Sequence, residues 1–535
     1  MLQGKVKLMA NRFTRQQRLA ALLLPACMAL LLLSQPTRAG DRQESQQDSK
    51  PASCYVDGLS DRLRCGAITV PENYAAPQGK QIKIHYLILP AIKPSFEKEA
   101  LLAIAGGPGQ SAIDNAASFD KIFTKVRQQR DILLIDQRGT GSSNQLTCEG
   151  AGFEGGLAFN DDELDIAAET KACLSELDAD VSQYGSETAL KDFEAVRQAL
   201  GYQKLHLYGI SYGTRMAQLY MRHYPEALAT VTLDGVVPMQ QSVLNIGDAI
   251  TRAIDLLLKD CQDNPLCHQQ FPKLEEELDQ VQALLSKGPQ FSQTRDPLTN
   301  APTQLTMTQG KFMGAIRMAL YMPNIRALLP HAIHQAAEGN FQAIMGLYAL
   351  TVNSTGIAAG MHSAVVCGED WQRFSQAERE RLSQSYFGQE MIKAFDLSCP
   401  IWQIPAADAS FAAPIASNLP TLVLSGQIDP ATPPSWGELA MAKLTNAKHF
   451  VAPYATHGVA YQSCGNNLIA ELITSGSVDG LSQECLSNDV SRNFYLNANT
   501  VEAIPQDKLS QSKLSQAATS QASLGDAKQQ GAHHD

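Results

Sequence analysis

The 535-residue chain lacks a basic excess: 43 Lys and Arg stand against 54 Asp and Glu, a formal net charge of −11. Nucleic acids and anionic membranes bind basic patches, so this balance argues against both as partners. The chain also lacks a Cys-x-x-Cys pair, and His268 beside Cys267 has no second ligand at zinc spacing. We therefore predict no metal site and no cofactor.

A long hydrophobic run is also missing near the N-terminus. The apolar segment Leu19–Leu33 has 15 residues, fewer than the roughly 20 that a spanning helix needs. Basic residues precede it, and small residues around Ala39 follow it, the pattern of a cleavable signal peptide over residues 1–39. A retained anchor is the alternative. Cleavage would remove six Lys and Arg and no acid, which takes the charge from −11 to −17. We expect an exported, periplasmic or secreted protein with no stable membrane association.

The cysteines support export. Ten of the eleven remain after residue 39, an even number that is typical of disulfides in an oxidising compartment. Sequence does not determine connectivity, but the ten fall into near neighbours, and we predict sequential pairing. The expected pairs are Cys54 with Cys65, Cys148 with Cys173, Cys261 with Cys267, Cys367 with Cys399, and Cys464 with Cys485.

Strand-like and helical segments alternate in two parts of the chain. Such alternation predicts an α/β fold with a mostly parallel sheet flanked by helices. One helix, predicted over Glu187–Leu200, stops at Gly201 as a C-cap should. The expected strands are Lys83–Leu89, Leu101–Ile104, Ile132–Ile135, Leu205–Tyr208, Thr230–Leu233, Thr421–Leu424 and His449–Val451.

Between these two parts the pattern is helical, which predicts a large cap inserted into the core. The low-complexity C-terminal composition, rich in Gln, Ser and Ala, predicts a disordered tail. The resulting organisation is a signal peptide (1–39), a flexible leader (40–50), the N-terminal part of the core (51–238), a helical cap (239–414), the C-terminal part of the core (415–495) and the tail (496–535).

Residues 209–213 read Gly-Ile-Ser-Tyr-Gly, between an apolar strand and an amphipathic helix. The G-x-S-x-G pattern alone is weak evidence, but this context is typical of a nucleophile elbow, in which the serine lies on a sharp turn with its Oγ exposed. Ser211 is therefore the candidate nucleophile of a serine hydrolase.

A serine nucleophile needs a base and an orienting acid, which follow it in the order acid, then histidine. Asp429 follows the strand at 421–424, and His457 follows the strand at 449–451. Active sites of open parallel sheets lie at the carboxyl ends of strands, a condition that all three residues meet. Asp234 after the strand at 230–233 is a rival acid.

The oxyanion of an acyl-transfer intermediate needs two N–H donors. One is expected from Tyr212, directly after the nucleophile. The other is expected from Gly107 in the Gly-Gly-Pro-Gly turn at 106–109, because Pro108 has no N–H. That turn matches neither common phosphate-binding glycine pattern.

Together, Gly-Gly-Pro-Gly at 106–109, Asp-Gln-Arg-Gly-Thr-Gly at 136–141, the elbow, and Leu-Asp-Gly-Val at 233–236 form a combined signature. It resembles the secreted tripeptidyl/prolyl aminopeptidase branch of the α/β-hydrolases, over roughly residues 50–490. Prolyl enzymes usually have His before the Gly-Gly and Trp after the nucleophile; Ala105 and Tyr212 stand here, which favours the tripeptidyl type. The resemblance implies an α/β-hydrolase fold with a helical cap, and an exopeptidase that removes tripeptides or single residues from free peptide N-termini.

The resemblance also implies carboxylates that bind the substrate ammonium. Cys367-Gly368-Glu369-Asp370 is similar to the family's Cys-x-acid segment, which makes Glu369 the first amine-binding candidate and Asp370 the second. Solvated surface acids are the alternative for these two residues.

Two other functions compete with an aminopeptidase. The first is an esterase or other acyl hydrolase on the same fold, because the same catalytic triad can cleave either an ester or an amide. The second is a non-catalytic binding protein. The sequence specifies no oligomeric state.

Overall fold

The computed structural model describes residues 51–148, 156–296, 299–352 and 356–501. The predicted signal peptide and leader, and residues 502–535 of the predicted tail, lie outside the described residues. Within the described ranges, no helix combines the length and apolarity needed to cross a membrane.

A nine-stranded sheet lies at the centre, in the order β1-β2-β3-β5-β4-β6-β7-β10-β11. From β5 to β11 neighbouring strands are parallel, whereas β1, β2 and β3 add antiparallel strands at one edge. The prediction of a mostly parallel sheet is therefore confirmed. The described strands are β1 (Ala52–Cys54), β2 (Leu63–Pro71), β3 (Gln81–Leu89), β4 (Glu99–Ile104), β5 (Asp131–Ile135), β6 (Lys204–Ile210), β7 (Leu228–Asp234), β8 (Gln290–Arg295), β9 (Pro302–Met307), β10 (Thr421–Gly426), β11 (Ala447–Ala452), β12 (Tyr495–Asn497) and β13 (Thr500–Val501).

All seven predicted strands lie in this sheet, and the prediction missed β1 and β2. β1 has only three residues, and β2 contains Arg64, Gly66 and Pro71, which break the apolar pattern. Pairing with β3 stabilises β2 in spite of its composition. Sheet context therefore outweighed local propensity at this edge.

Helices cover both faces of the sheet. Side chains of β6 alternate, so that Leu207 packs with helices α3 and α4 on one face and Tyr208 packs with α1 and α16 on the other. The described α-helices are α1 (Ala116–Ile122), α2 (Ile166–Glu176), α3 (Ser186–Leu200), α4 (Tyr212–His223), α5 (Ile246–Asp263), α6 (Pro265–Gln270), α7 (Leu274–Leu285), α8 (Gln309–Ala319), α9 (Pro323–Arg326), α10 (Leu329–Ala337), α11 (Gln342–Val352), α12 (Ala359–Val365), α13 (Gln376–Leu382), α14 (Tyr386–Trp402), α15 (Pro434–Ala440) and α16 (Gly465–Ser475).

The segment between β7 and β10 contains helices α5 to α14 and has its own apolar core. Leu257, Leu278, Phe312 and Ile333 are buried there on four different helices. The segment is not wholly helical as predicted, because β8 and β9 form an antiparallel hairpin within it. Alternating polar residues make these strands hard to tell from a loop in sequence.

Two predicted boundaries differ from the structure. Leu157, assigned to the N-terminal part of the core, is buried in the cap's apolar core. Residues 496–501, assigned to the disordered tail, pair within the β12–β13 hairpin, and the Tyr495 N–H donates to the Ala327 carbonyl. Both boundaries depend on contacts between residues that are far apart in the sequence, and local composition does not reveal such contacts.

All five predicted disulfides are present, with the sequential pairing expected. Cys367–Cys399 ties the end of α12 to α14, and Cys464–Cys485 lies beside α16. Each links segments at most 32 residues apart, so the bonds reinforce local structure within the core and the cap.

Candidate active site

Ser211 lies between β6 and α4, at the turn expected of a nucleophile elbow. Its φ of 55° and ψ of −127° place it in a region that non-glycine residues rarely occupy. Such a conformation costs about 1–3 kcal/mol and persists only where the surroundings impose it. The Ser211 N–H donates to the Asp234 carbonyl at the end of β7, 3.0 Å away, which helps to hold the turn.

The two outer glycines of the motif are required by close backbone approach. A Cβ on Gly209 would lie 2.4 Å from the Gly213 carbonyl oxygen, and a Cβ on Gly213 would lie 2.3 Å from the Ile104 carbonyl oxygen. These contacts are shorter than any real Cβ contact, so a side chain at either position would force the strand and helix apart. The start of α4 therefore packs directly on the end of β4.

Asp429 and His457 meet at the carboxyl ends of β10 and β11. The His457 Nδ1 lies 2.9 Å from Oδ2 and 3.1 Å from Oδ1 of Asp429. Burial opposes a charge on His457, but the Asp429 carboxylate outweighs this effect and raises the pKa of the imidazole above its ordinary value. Three further donors hold Asp429: the Ala431 and Thr432 N–H groups and the Thr432 hydroxyl.

Asp234, the rival acid, has a different set of contacts. Its buried carboxylate accepts from the Val459 N–H at 2.8 Å, the Ala460 N–H at 2.9 Å and the Tyr208 hydroxyl at 2.9 Å. It contacts the backbone just after His457 rather than the imidazole ring. Since its carbonyl also accepts from Ser211, Asp234 links the elbow to the loop that carries His457.

The glycine turn after β4 lies beside the elbow. A Cβ on Gly106 would lie 3.0 Å from the Cβ of Ser211. Gly107 has a φ of +109°, which suits glycine and turns the backbone sharply. Within the described residues, neither the Gly107 N–H nor the Tyr212 N–H donates to a protein acceptor. Both predicted oxyanion donors are therefore free to bind another oxygen.

Glu369 is buried, with 5% of its surface exposed, in the π-helical turn Val366–Asp370 that follows α12. Its Oε1 accepts from the Ser186 N–H at 2.6 Å and its Oε2 from the Ser186 hydroxyl at 2.8 Å. The Ser186 hydroxyl also lies 2.6 Å from the Tyr212 hydroxyl, so Glu369 is connected to the residue after Ser211. Burial raises the pKa of Glu369 to about 7, against the opposing effect of Arg215.

Asp370 does not fit its predicted role in amine binding. It is fully buried, and Arg215 binds both of its oxygens, at 2.7 and 3.1 Å. Arg373 and the Val243 N–H each donate to Oδ1 as well, at 3.0 Å. Burial acts to raise the pKa of Asp370, but Arg215 outweighs it and lowers the pKa below its ordinary value. Nor is Asp370 a solvated surface charge; it is the ion-pair partner of a buried arginine.

Asp370→Ala is expected to destabilise the fold, because it removes the carboxylate that binds the buried guanidinium of Arg215 and leaves that group only Glu369, 3.8 Å away. Removal of one partner from a buried pair costs about 3–5 kcal/mol. The measurement is the free energy of unfolding in urea with disulfides intact. Asp263→Ala is the matched control: Asp263 pairs with Lys259 at 2.6 Å but is 62% exposed, so its loss should cost less than about 1 kcal/mol. Equal stability of the two variants would contradict the structural role of Asp370.

A cavity of about 390 Å³ opens beside the glycine turn, between the core and the cap helices α8, α12 and α14. Gly107 and Pro108 form its wall on the core side, and apolar residues such as Phe387 and Phe395 line the cap side. His362 also lines it and donates from Nδ1 to the Pro108 carbonyl, 3.0 Å away. A substrate in this cavity would lie beside Gly107, one of the two predicted oxyanion donors.

Several functional neighbours were not predicted. Arg215, Ser186 and Thr432 contact the predicted residues but belong to no motif that names them. A buried arginine requires an acid, yet Asp370 lies 155 residues along the chain from Arg215. Only Thr432 carried a local signal, since it stands three residues after Asp429 in a turn where a hydroxyl can bond a nearby carboxylate.

Comparisons with known proteins agree with this geometry. A family model described as alpha/beta hydrolase fold matches residues 99–262, which contain the glycine turn and the elbow. A second model, described as TAP-like protein, matches residues 384–485, which contain Asp429 and His457. The two matches therefore cover much of the two parts of the core, and each extends into the adjoining cap helix, α5 or α14.

Three known proteins are similar to this chain in sequence. A putative hydrolase, YuaR, from Escherichia coli is 33% identical over 34% of this chain, and the match spans 38% of that protein. The serine protease Hip1 of Mycobacterium tuberculosis is 24% identical over 78% of this chain and 85% of its own. A tripeptidyl aminopeptidase of Streptomyces coelicolor is 22% identical over 82% of this chain and 86% of its own. The chain is a serine hydrolase with the α/β-hydrolase fold, and it is similar in sequence to the serine protease Hip1 and to a tripeptidyl aminopeptidase.

Proposed function

We propose that the protein is an exported serine exopeptidase that releases tripeptides or single residues from free peptide N-termini. The observation that carries the proposal is the His457–Asp429 pair at strand ends next to the Ser211 turn. The names of the related serine protease and tripeptidyl aminopeptidase favour a peptide substrate. Five disulfides and the signal-like N-terminus support export.

The mechanism begins with proton transfer from the Ser211 hydroxyl to His457 as Oγ attacks the peptide carbonyl carbon. Asp429, bonded to Nδ1, holds the orientation of the imidazole and stabilises the imidazolium that forms. The Gly107 and Tyr212 N–H groups bind the oxyanion. His457 then protonates the leaving amine, the C–N bond breaks, and an acyl-enzyme on Ser211 remains. Water, activated by the same imidazole, attacks the ester and restores the free serine.

Glu369 is the proposed partner of the substrate ammonium. Its link through Ser186 to Tyr212 brings it to the neighbourhood of Ser211, and Arg215, 3.8 Å away, offsets only part of its charge. The small exposed part of the carboxylate would receive the ammonium. Recognition of this kind would select free N-termini, because an acetylated terminus has no charge.

The test uses peptidyl anilides of one, two and three residues, each with a free and an N-acetylated terminus, together with a short acyl ester. We expect cleavage of the free forms and a loss of kcat/KM of about tenfold or more on acetylation, the value of a charge-assisted contact. The length of the fastest substrate gives the size of the released unit. Ester turnover without preference for a free amine would instead support a general acyl hydrolase.

The preference for free over acetylated substrates should depend on pH. Only ionised Glu369 attracts an ammonium, and burial raises its pKa to about 7. The ratio of kcat/KM for the two forms should therefore rise between pH 6 and about 7.5, where the α-amino group is still largely protonated. Taking the ratio cancels the titration of His457, which acts on both substrates. Glu369→Gln should give a low, flat ratio; a ratio unchanged in that variant would exclude Glu369 as the amine partner.

A further inference from the structure

Helix α8 contributes a cation to the cavity beside the glycine turn. Arg317, in its last turn, lines the cavity together with Gly107, Pro108 and His362. Its charge acts on His362: burial is the main cause that lowers the pKa of that imidazole, and Arg317 lowers it further. The guanidinium therefore lies near the residue that bonds the Pro108 carbonyl.

Arg317 has no anionic partner in the part of the chain that the structure describes. No carboxylate oxygen of the described residues lies within 4.0 Å of its nitrogens, and its buried Nε has no hydrogen-bond acceptor. Arg138 and Arg215, in contrast, are both paired with buried aspartates. A partly buried guanidinium with unmet donors is matched by a planar oxyanion such as a carboxylate.

The acid on the facing wall does not neutralise Arg317. Glu390 of α14 lines the same cavity, but it is 51% exposed and its nearest cation is Lys393, at 3.9 Å. Other lining residues on α14 are apolar or aromatic. The cavity thus presents one unpaired positive group on an otherwise mainly apolar surface, the usual arrangement for orienting a small ligand.

The position of α8 relates Arg317 to the reaction centre. Tyr321 follows four residues later, and its ring packs edge-on against His457 with 5.3 Å between ring centroids. The Tyr321 carbonyl also accepts from the Thr456 hydroxyl next to His457. Tyr321 lies two residues past the end of α8, so Arg317 is four residues along the chain from a residue in contact with the candidate base.

We propose that Arg317 binds a carboxylate of the substrate within a few residues of the scissile bond, so that short or acidic peptides are preferred. The inference rests on the proposed function and adds a substrate class to it. The carboxylate belongs either to the C-terminus of a short peptide or to an Asp or Glu side chain. Both present the same planar anion to the guanidinium.

Two pairs of peptides test the proposal and separate the two sources. One pair is tetra-alanine with a free C-terminus and its C-terminal amide; the other is Ala-Ala-Ala-Glu-amide and Ala-Ala-Ala-Gln-amide. We expect kcat/KM to favour the carboxylate member of at least one pair by about 10- to 100-fold, typical of hydrogen bonds to charged groups. Arg317→Met should abolish that preference and leave the neutral members nearly unchanged.

Two control variants sharpen the result. Arg295→Met makes the same change of charge on the exposed β8 strand and should keep the preference, because among the described residues the Arg295 side chain bonds only the Asn300 carbonyl. Arg317→Lys retains the charge without the planar fork and should restore part of it. No preference in either pair, or a preference that persists in Arg317→Met, would overturn the proposal.

A binding readout separates this inference from the peptidase activity. The same peptides should slow labelling of Ser211 by a fluorophosphonate, with stronger protection from the carboxylate member and no difference in Arg317→Met. If anilides are cleaved but neither readout depends on the carboxylate, only the Arg317 inference fails. If no peptide is cleaved, the proposed function fails, and the protection experiment alone decides on Arg317.

Discussion

Ser211→Ala is expected to lower kcat for the best free-amine anilide by about 10⁴- to 10⁶-fold, with only a small change in binding. Alanine removes the Oγ that forms the acyl-enzyme, and no neighbouring hydroxyl of this motif can replace it. The residual rate would come from oxyanion stabilisation and substrate positioning. Steady-state turnover with a fluorogenic substrate, together with loss of fluorophosphonate labelling, measures the effect.

Ser425→Ala is the matched control for that variant. Ser425 is also a buried serine near the carboxyl end of a central strand, β10, and its hydroxyl lies 2.9 Å from the His449 Nε2. It has no place in the proposed mechanism, so its loss should change kcat by less than about tenfold, as for a single neutral hydrogen bond. Turnover above about 1% of wild type in Ser211→Ala would exclude an acyl-enzyme on Ser211.

Asp429→Asn should reduce kcat by about 10⁴-fold while leaving the protein folded. The amide keeps the size of the side chain but no longer compensates the imidazolium, and its NH₂ group favours the wrong tautomer of His457. The Ala431 and Thr432 N–H groups can still donate to the amide oxygen, so the turn should persist. Kinetics and thermal unfolding, measured on the same preparation, give both quantities.

Asp234→Asn tests whether Asp234 orients the imidazole of His457 or only holds the loop that carries His457. An amide at position 234 can accept from only one side, so the Val459 or Ala460 N–H would lose its partner, at a cost of about 1–3 kcal/mol. We expect a lower unfolding midpoint and a decrease of kcat much smaller than in Asp429→Asn. The reverse order of the two kcat values would identify Asp234 as the triad acid.

Sequence reasoning succeeded where the information is local. The elbow, its glycines and the strands before Asp429 and His457 were visible because strand ends and tight turns leave short, periodic signals. Parallel strands bring their carboxyl ends to one edge, so residues placed after separate strands could be expected to meet. The 2.9 Å contact between His457 and Asp429 agrees with that expectation.

Partners far apart along the chain could not be predicted in this way. Glu369 and Asp370 are neighbours with the same charge, yet one contacts Ser186 and the other Arg215, and no local pattern distinguishes them. The β8–β9 hairpin was missed for a related reason, because its polar strands are defined by pairing rather than by apolar periodicity.

The sequence by itself thus determined the fold class and the order of the candidate catalytic residues, since both depend on spacing or on short segments. Only the tertiary structure decided which acid is bound by a buried arginine, which aspartate faces the imidazole and which arginine is left unpaired beside the cavity. These outcomes depend on burial and on distances between segments far apart in sequence. A buried charge is costly unless it has a partner, because burial removes its hydration. Whether a given charge has such a partner depends on how the cap packs on the core.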